Sequence, residues 1–486
     1  MRRDHALVVS LLLFSALVAA CSSTAAEQAD QVAEDSAQPE PTTSTPETTT
    51  TTTTTVTPPT TNEFAGETIV VLVPEDSAPV QDIIALTPEF FTASTGVTVE
   101  FAEIEHPIRE VFTVGGPSVL IDVLMFDALD IIPLGAFSGS IADLAPLAEA
   151  DPDYDFEDLV PPIADQIGRD GEIYGAPFFV DSSVLMFNQE ILAAAGLSVP
   201  DNPTWAEVRD IATQVHSNDV SGICLNGVAG WDELAASLTT VVNTFGGTWW
   251  EAVDDALPGE PQINQPDSGF RAATEFYIDL AQNFGVSDPA TASFDRCLDE
   301  FQNGNVALWY DSTRAAPLLE SNNSPIAGNV GYTLAPTNIT EASGWLNVSG
   351  FTMLPRSVGR DRTGASWEFI SWATSPEFAR LAAENLPAGW VTAAHPTRLS
   401  TYDIPEFVEA NEPYADIVLE AITTAPINNP GTTPRPGLPG IQYVGIPEFS
   451  DIGTRCTQQL SAAIAGDISV NEALDACQAI AAEISQ

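Results

Sequence analysis

Residues Thr68-Ile69-Val70-Val71-Leu72-Val73 form a short, unbroken apolar run rich in β-branched side chains. A run of this length without alternation reads as a strand buried on both faces. A stretch of helical character follows through Phe90. Two more apolar runs come next, Val97-Thr98-Val99-Glu100-Phe101 and residues 119–126 (VLIDVLMF). Strand, helix and strand in this rhythm predict an α/β unit with a mainly parallel sheet. Farther on, Thr204-Trp205-Ala206-Glu207 is a capping box that opens a helix to about His216. Ser375-Pro376 opens another through Asn385, with proline at the first helical position. Helices are expected to dominate from Asp232 onward, and no internal repeat is visible.

The chain has 486 residues, with 15 basic against 68 acidic side chains and a formal charge of −53. Lysine is absent, so every basic residue is an arginine. That excludes a Walker A lysine, a pyridoxal-phosphate Schiff base, a Ser-x-x-Lys nucleophile pair and a lysine general base. The net charge of −53 in turn argues against nucleic acid or anionic lipid as a partner, because binding phosphates requires clustered cations. With 44% apolar residues, 9 Trp and 23 Phe, the chain can bury a core large enough for two domains.

The first 66 residues do not belong to that core. Arg2 and Arg3 precede the apolar segment 6–20 (ALVVSLLLFSALVAA), too short for a stable membrane span and suited to a signal peptide over 1–20. Leu17-Val18-Ala19-Ala20-Cys21 resembles a bacterial lipobox, in which Cys21 is lipidated after cleavage; the alternative is an ordinary secretory signal. The segment 21–66 turns to Thr, Pro, Ser, Ala and Glu, with an unbroken threonine run from Thr48 to Thr55. It offers almost no apolar surface to offset its ordering entropy and reads as a disordered tether. As a coil of about 44 residues it averages about 35–40 Å end to end.

Four cysteines remain besides Cys21, an even number in an exported chain, which suggests two disulfides. Phe449, Ile452, Cys456, Leu460 and Ala463 follow helical spacing, and so do Val470, Leu474, Cys477, Ala481 and Ile484. Gly466 and a Ser469…Glu472 capping box separate the runs, so an antiparallel pair brings Cys456 and Cys477 to similar heights. Cys224 with Cys297 follows by elimination. The alternative is buried free thiols.

The four histidines are isolated and form no metal-ligand spacing. Neither G-x-S-x-G nor a glycine-rich phosphate loop after a strand occurs. No catalytic constellation, cofactor motif or metal motif emerges. The layout of anchor, tether and α/β body suits a capture device.

Several strings then resemble one family together. They are Gly171-Glu172-Ile173-Tyr174-Gly175-Ala176-Pro177-Phe178-Phe179, Leu185-Met186-Phe187-Asn188, Ala195-Gly196-Leu197, Pro203-Thr204-Trp205 and Phe301-Gln302-Asn303-Gly304-Asn305-Val306-Ala307-Leu308-Trp309-Tyr310-Asp311. With the closing stretch from Ile441-Gln442-Tyr443 to Glu472-Ala473-Leu474, they resemble the extracellular solute-binding proteins, family 1, of ABC importers. Residues 222–231 (GICLNGVAGW), Trp309-Tyr310-Asp311-Ser312-Thr313 and residues 442–449 (QYVGIPEF) resemble sorbitol/mannitol-binding members. Asn226 and Val228 depart from that pattern, where those proteins often carry a basic residue and a lysine.

The resemblance implies a two-lobe periplasmic-binding-protein fold (Venus flytrap) with hinge strands. Lobe I is expected at 67–180 and 350–425, lobe II at 181–349 and 426–486, with crossings near 177–182, 344–350 and 424–437. It implies a polyol or sugar ligand, an ABC permease partner, attachment to the outer face of the cell membrane only through the lipid, and a monomer. Carboxylates accepting paired hydroxyls, an arginine donor and aromatic rings over C–H groups are the economical partners of a polyol.

By position and by likeness to the family, the candidates are Asp76, Asp181 and Asp311, the rings of Trp231, Trp345 and Trp390, and the donors Arg109 and Arg398. Each tryptophan can equally be core, Asp76 a helix cap, and Arg109 a surface partner of Glu105. A secreted carbohydrate-active hydrolase, or a sensor or adhesion protein of the same shape, are the competing functional readings.

Overall fold

The computed structural model describes residues 62–75, 77–104, 121–127, 130–131, 134–135, 138–254, 257–355, 361–386, 395–427, 430–432 and 441–485. The segment read as a signal, Cys21, the expected tether as far as residue 61, Asp76, Arg109 and Trp390 lie outside them. Residues 62–66, assigned to the tether from composition, instead join the body, where Phe64 packs on the core and Asn62 bonds Glu368. Twelve strands are seen among the described residues: β1 Thr68–Pro74, β2 Thr98–Ile104, β3 Val123–Asp127, β4 Gly168–Arg169, β5 Glu172–Ile173, β6 Ala176–Asn188, β7 Ser221–Cys224, β8 Trp250–Asp254, β9 Leu257–Pro261, β10 Val306–Ser312, β11 Val330–Leu334 and β12 Leu346–Met353. β4–β5 and β8–β9 are separate hairpins, and the remaining eight form one sheet in the order β2-β1-β3-β12-β6-β10-β7, with β11 also on β6.

The sheet is mixed, where the sequence suggested a mainly parallel one. β1 runs parallel to β2 and β3, and β10 parallel to β7, but β12 and β6 run antiparallel to every neighbour. The reason lies in what β6 and β12 do. Each carries the chain from one half of the molecule to the other, so each meets the strands of one half against their direction. β6 pairs with β12 up to Ser182 and with β10 and β11 from Ser183 on. Gly350 of β12 marks a register shift; a Cβ there would meet the Ala176 carbonyl oxygen at 2.1 Å. Helices do dominate after Asp232, as expected from the sequence, while β10, β11 and β12 return from that region to complete the sheet.

Each half has its own core. Val71, Val73, Phe351 and Phe369 pack together in the first. Trp205, Trp249, Tyr310 and Phe449 lie in the second, which also holds a satellite cluster around Trp309 and Phe301. Local signals in the sequence place the helices well. Thr204 caps the helix Trp205–Val215 with both bonds of the capping box, and Ser469 does the same for Val470–Ala481. Gly466, at φ 81°, ends the helix Phe449–Ala465 in the left-handed conformation that favours glycine. Both disulfides form, Cys456–Cys477 between those C-terminal helices and Cys224–Cys297 between β7 and the helix Phe294–Gln302. Among the described residues no helix is long and apolar enough to cross a membrane.

Candidate functional site

A cleft of about 460 Å3 opens between the two halves of the sheet. Its walls come from the C-terminal ends of the parallel strands: Glu75 just beyond β1, Ile104 at the end of β2, Asp127 at the end of β3, Asn226 beyond β7 and Asp311 in β10. Strand ends of this kind leave loops and unpaired backbone free to meet a ligand. The floor is formed by β6 and β12. There Asp181 and Asn347 are register partners, so their side chains share a face, and both line the cleft. Two further segments close the far side, Trp231-Asp232-Glu233 ahead of the helix Leu234–Thr244 and Gln442-Tyr443 ahead of Phe449–Ala465.

Asp311 is only 3% exposed and is the best-tethered of the cleft carboxylates. One oxygen accepts from the Ser312 backbone N–H at 2.7 Å, the other from Trp309 Nε1 at 3.2 Å and Asn226 Nδ2 at 3.4 Å. Asp181 is also buried, yet its Oδ1 has no hydrogen-bond partner. The same holds for Oε2 of Glu233 and Oδ1 of Asn226. Asp127, by contrast, accepts from Ser349 Oγ at 2.6 Å. Arg314 lies on the cleft wall with its guanidinium 3.9 Å from the centre of the Phe294 ring, a cation–π contact, and no ion pair to it is seen among the described residues.

Burial raises all three inner acids. Asp181 is pushed to about 7 by desolvation, opposed by Arg314 and reinforced by Asp127 and Asp311. Glu233 is pushed to about 7 by desolvation and then by Asp311 and Asp232. Asp311 reaches about 6 through desolvation, held back by the Ser312 N–H and Arg314. A carboxyl whose folded pKa exceeds its unfolded one keeps its proton longer in the folded state, so stability falls as pH rises between the two values. The unliganded protein is therefore expected to melt at a lower temperature at pH 8 than at pH 5. His395, lowered to about 4 by burial, works in the opposite sense but is a single group. Thermal melts of wild type and Asp181→Asn across this range check the expectation: a smaller slope in the variant ties it to the cleft, and an unchanged slope refers it to general self-repulsion.

Of the candidates drawn from the sequence, Asp181, Trp231, Asp311 and Trp345 all line this cleft. Trp345 is only 6% exposed and sets its edge against Tyr310, so it serves core and wall together. Asp76, Arg109 and Trp390 lie outside the described residues, although Glu75 and Ser77 on either side of Asp76 line the cleft. Arg398 sits elsewhere. It is 2% exposed, donates to the carbonyls of Thr374 and Asp155, and stacks 4.9 Å from the Tyr154 ring. It borders a smaller cavity of about 80 Å3 beside Phe178 and Phe378, so its guanidinium ties loops together instead of facing the cleft.

Sequence reasoning missed Glu233, Asn347 and Arg314 as site residues. Arg314 stands one residue beyond the string ending at Thr313, and Glu233 two beyond Trp231, so both were within reach of the motifs. Asn347 carried no local signal; only the pairing of β12 with β6 puts it next to Asp181. Among the described residues, no group of three or more His, Cys, Asp or Glu is arranged to hold a metal ion.

Comparison with known proteins bears on the same surfaces. The family described as bacterial extracellular solute-binding protein matches residues 121–380. A mannitol-binding protein of Pseudomonas aeruginosa is 30% identical over 378 residues, covering 76% of this chain and 80% of that one. The crystal structure of an ABC transporter solute-binding protein from Agrobacterium vitis with bound D-mannitol superposes with a TM-score of 0.74 at 32% identity, over 86% of this chain and 98% of that one. A solute-binding protein from Agrobacterium radiobacter in complex with ribitol shares the fold, with a TM-score of 0.69 at 21% identity over 86% and 99% of the two chains.

Proposed function

Because the chain belongs to the bacterial extracellular solute-binding protein family, we propose that it captures a polyol or closely related sugar in the interlobe cleft and delivers it to an ABC permease. The observation that carries this reading is the cleft wall. Asp181 and Asp311 supply acceptors for hydroxyl groups, Arg314 supplies a donor, and Trp231, Trp345 and Phe294 supply apolar faces for the C–H groups between them. In this reading the role is binding without turnover.

In this reading lobe I comprises 67–180 and 350–425, lobe II comprises 181–349 and 426–486, and the lobes meet at β6 and β12. The segment 1–20 is a signal, Cys21 carries a lipid, and the tether, which gives way to the folded body at Asn62 and Phe64, holds that body outside the membrane. A thermal-shift screen over polyols, monosaccharides and disaccharides tests the reading. A ligand present at about 100 times its Kd stabilises the folded state by about 2.7 kcal/mol. Mannitol or sorbitol is expected to raise the melting temperature, and the absence of a shift with any carbohydrate would overturn the proposal.

A further inference from the structure

The unpartnered buried atoms on the cleft wall are all of one kind. Oδ1 of Asp181, Oε2 of Glu233 and Oδ1 of Asn226 are acceptors, and among the described residues no buried donor that lines the cleft is left without a partner. Asn226 cannot turn its amide round, because its Nδ2 already donates to Asp311 and to Ser237 Oγ. The three acceptors share the cleft wall with Asp311: Asn226 is bonded to it, and Asp181 and Glu233 both feel its charge.

The general acidity of the chain does not account for this. Surface carboxylates are solvated, but a buried one carries a desolvation cost unless something neutralises it. Among the described residues four aspartates are buried, and three of them, Asp130, Asp181 and Asp311, line the cleft. The fourth, Asp122, accepts from the Val70 backbone N–H at 2.9 Å, and Asp311 is held by Ser312, Trp309 and Asn226, so among these aspartates the buried oxygen left unbonded is Oδ1 of Asp181. Arg314 is the one cation among the described lining residues, and it is engaged with Phe294.

A neutral hydroxyl brings one donor and an acceptor that itself needs a donor, whereas an ammonium group brings three donors, no acceptor and a positive charge. We propose that the cleft takes an aminated polyol in preference to the neutral one, its ammonium group received by Asp181, Glu233 and the Asn226 carbonyl. The absence of any metal-type grouping among the described residues favours an organic cation over a metal ion. The inference deepens the polyol reading and rests on it.

Calorimetry with 1-amino-1-deoxy-D-glucitol against D-glucitol, which differ only in the amine, tests it. At pH 8 the amine is expected to bind about tenfold more tightly to the wild type. That advantage should fall towards one in Asp181→Asn or Glu233→Gln, with melting curves confirming that both variants fold. It should also shrink at pH 6, where Asp181 and Glu233 take up protons in the combined field of Asp127, Asp232, Asp295, Asp311 and Arg314. Tighter binding of the neutral polyol would overturn the preference and leave the polyol reading standing. An advantage untouched by both substitutions would overturn it too, as attraction by the overall charge of −53. If neither compound nor any other polyol binds, both proposals fall.

Discussion

Asp311→Ala is expected to weaken polyol binding by at least about thirtyfold and to lower the melting temperature as well. The affinity loss follows from removing a charged acceptor in a desolvated site, where truncating a bonded charge costs about 2–5 kcal/mol. The stability loss follows from what Asp311 already holds. Without its carboxylate, Nε1 of Trp309 and Nδ2 of Asn226 lose their acceptor, at about 1–3 kcal/mol for each buried donor left unmade. Asparagine at 311 is no full remedy, because its NH2 would face either those two donors or the Ser312 backbone N–H.

Asp181→Ala makes the informative contrast. Its Oδ1 is unpaired within the protein, so affinity should fall while the melting temperature stays or rises at pH 8. Calorimetry beside thermal melts separates the two cases. Affinity within threefold of wild type in Asp311→Ala would remove that residue from the site.

The second large effect is expected from the Cys224–Cys297 bridge. It spans 73 residues, and closing a loop of that length constrains the unfolded chain by about 4 kcal/mol; the 21-residue span of Cys456–Cys477 contributes about 3 kcal/mol. The Cys224→Ser/Cys297→Ser double variant should melt several degrees below wild type and bind its ligand more weakly. The weaker binding arises because the longer bridge fixes the helix Phe294–Gln302 to β7, and Phe294 at its start carries the Arg314 guanidinium. Melting and binding indistinguishable from wild type would show that packing around Trp309 and Phe301 suffices without the bridge.

Local information in the sequence was enough for the helices and for the Cys456–Cys477 bridge, whereas Cys224–Cys297 followed only by elimination. A capping box is complete within four residues, and the heights of Cys456 and Cys477 on their helices follow from 1.5 Å per residue and one glycine. Strand direction was not legible in this way. An apolar run looks the same whichever way its neighbour runs, so the antiparallel β6 and β12 escaped notice as sheet-forming reversals. The cleft was legible where a residue lay in a distinctive string, as Asp311 and Trp231 do. It was illegible where long-range pairing alone creates the neighbourhood, as for Asn347 beside Asp181. Arg398 shows the converse hazard: a family-like string suggested a ligand donor, and the fold uses that guanidinium to tie Asp155 and Thr374 together.

The switch of β6 from one set of partners to the other at Ser182 and Ser183 falls next to Asp181. If the two proposed lobes close on a ligand by rotating about these strands, the floor of the cleft is their fulcrum, the part displaced least. Groups there would then keep their spacing whether the lobes stand apart or together, while groups on the opposing walls, such as Glu75 and Trp231, would move with them. Selectivity between ligands is then set by a ruler that does not move, and the dwell time of a captured molecule by walls that do.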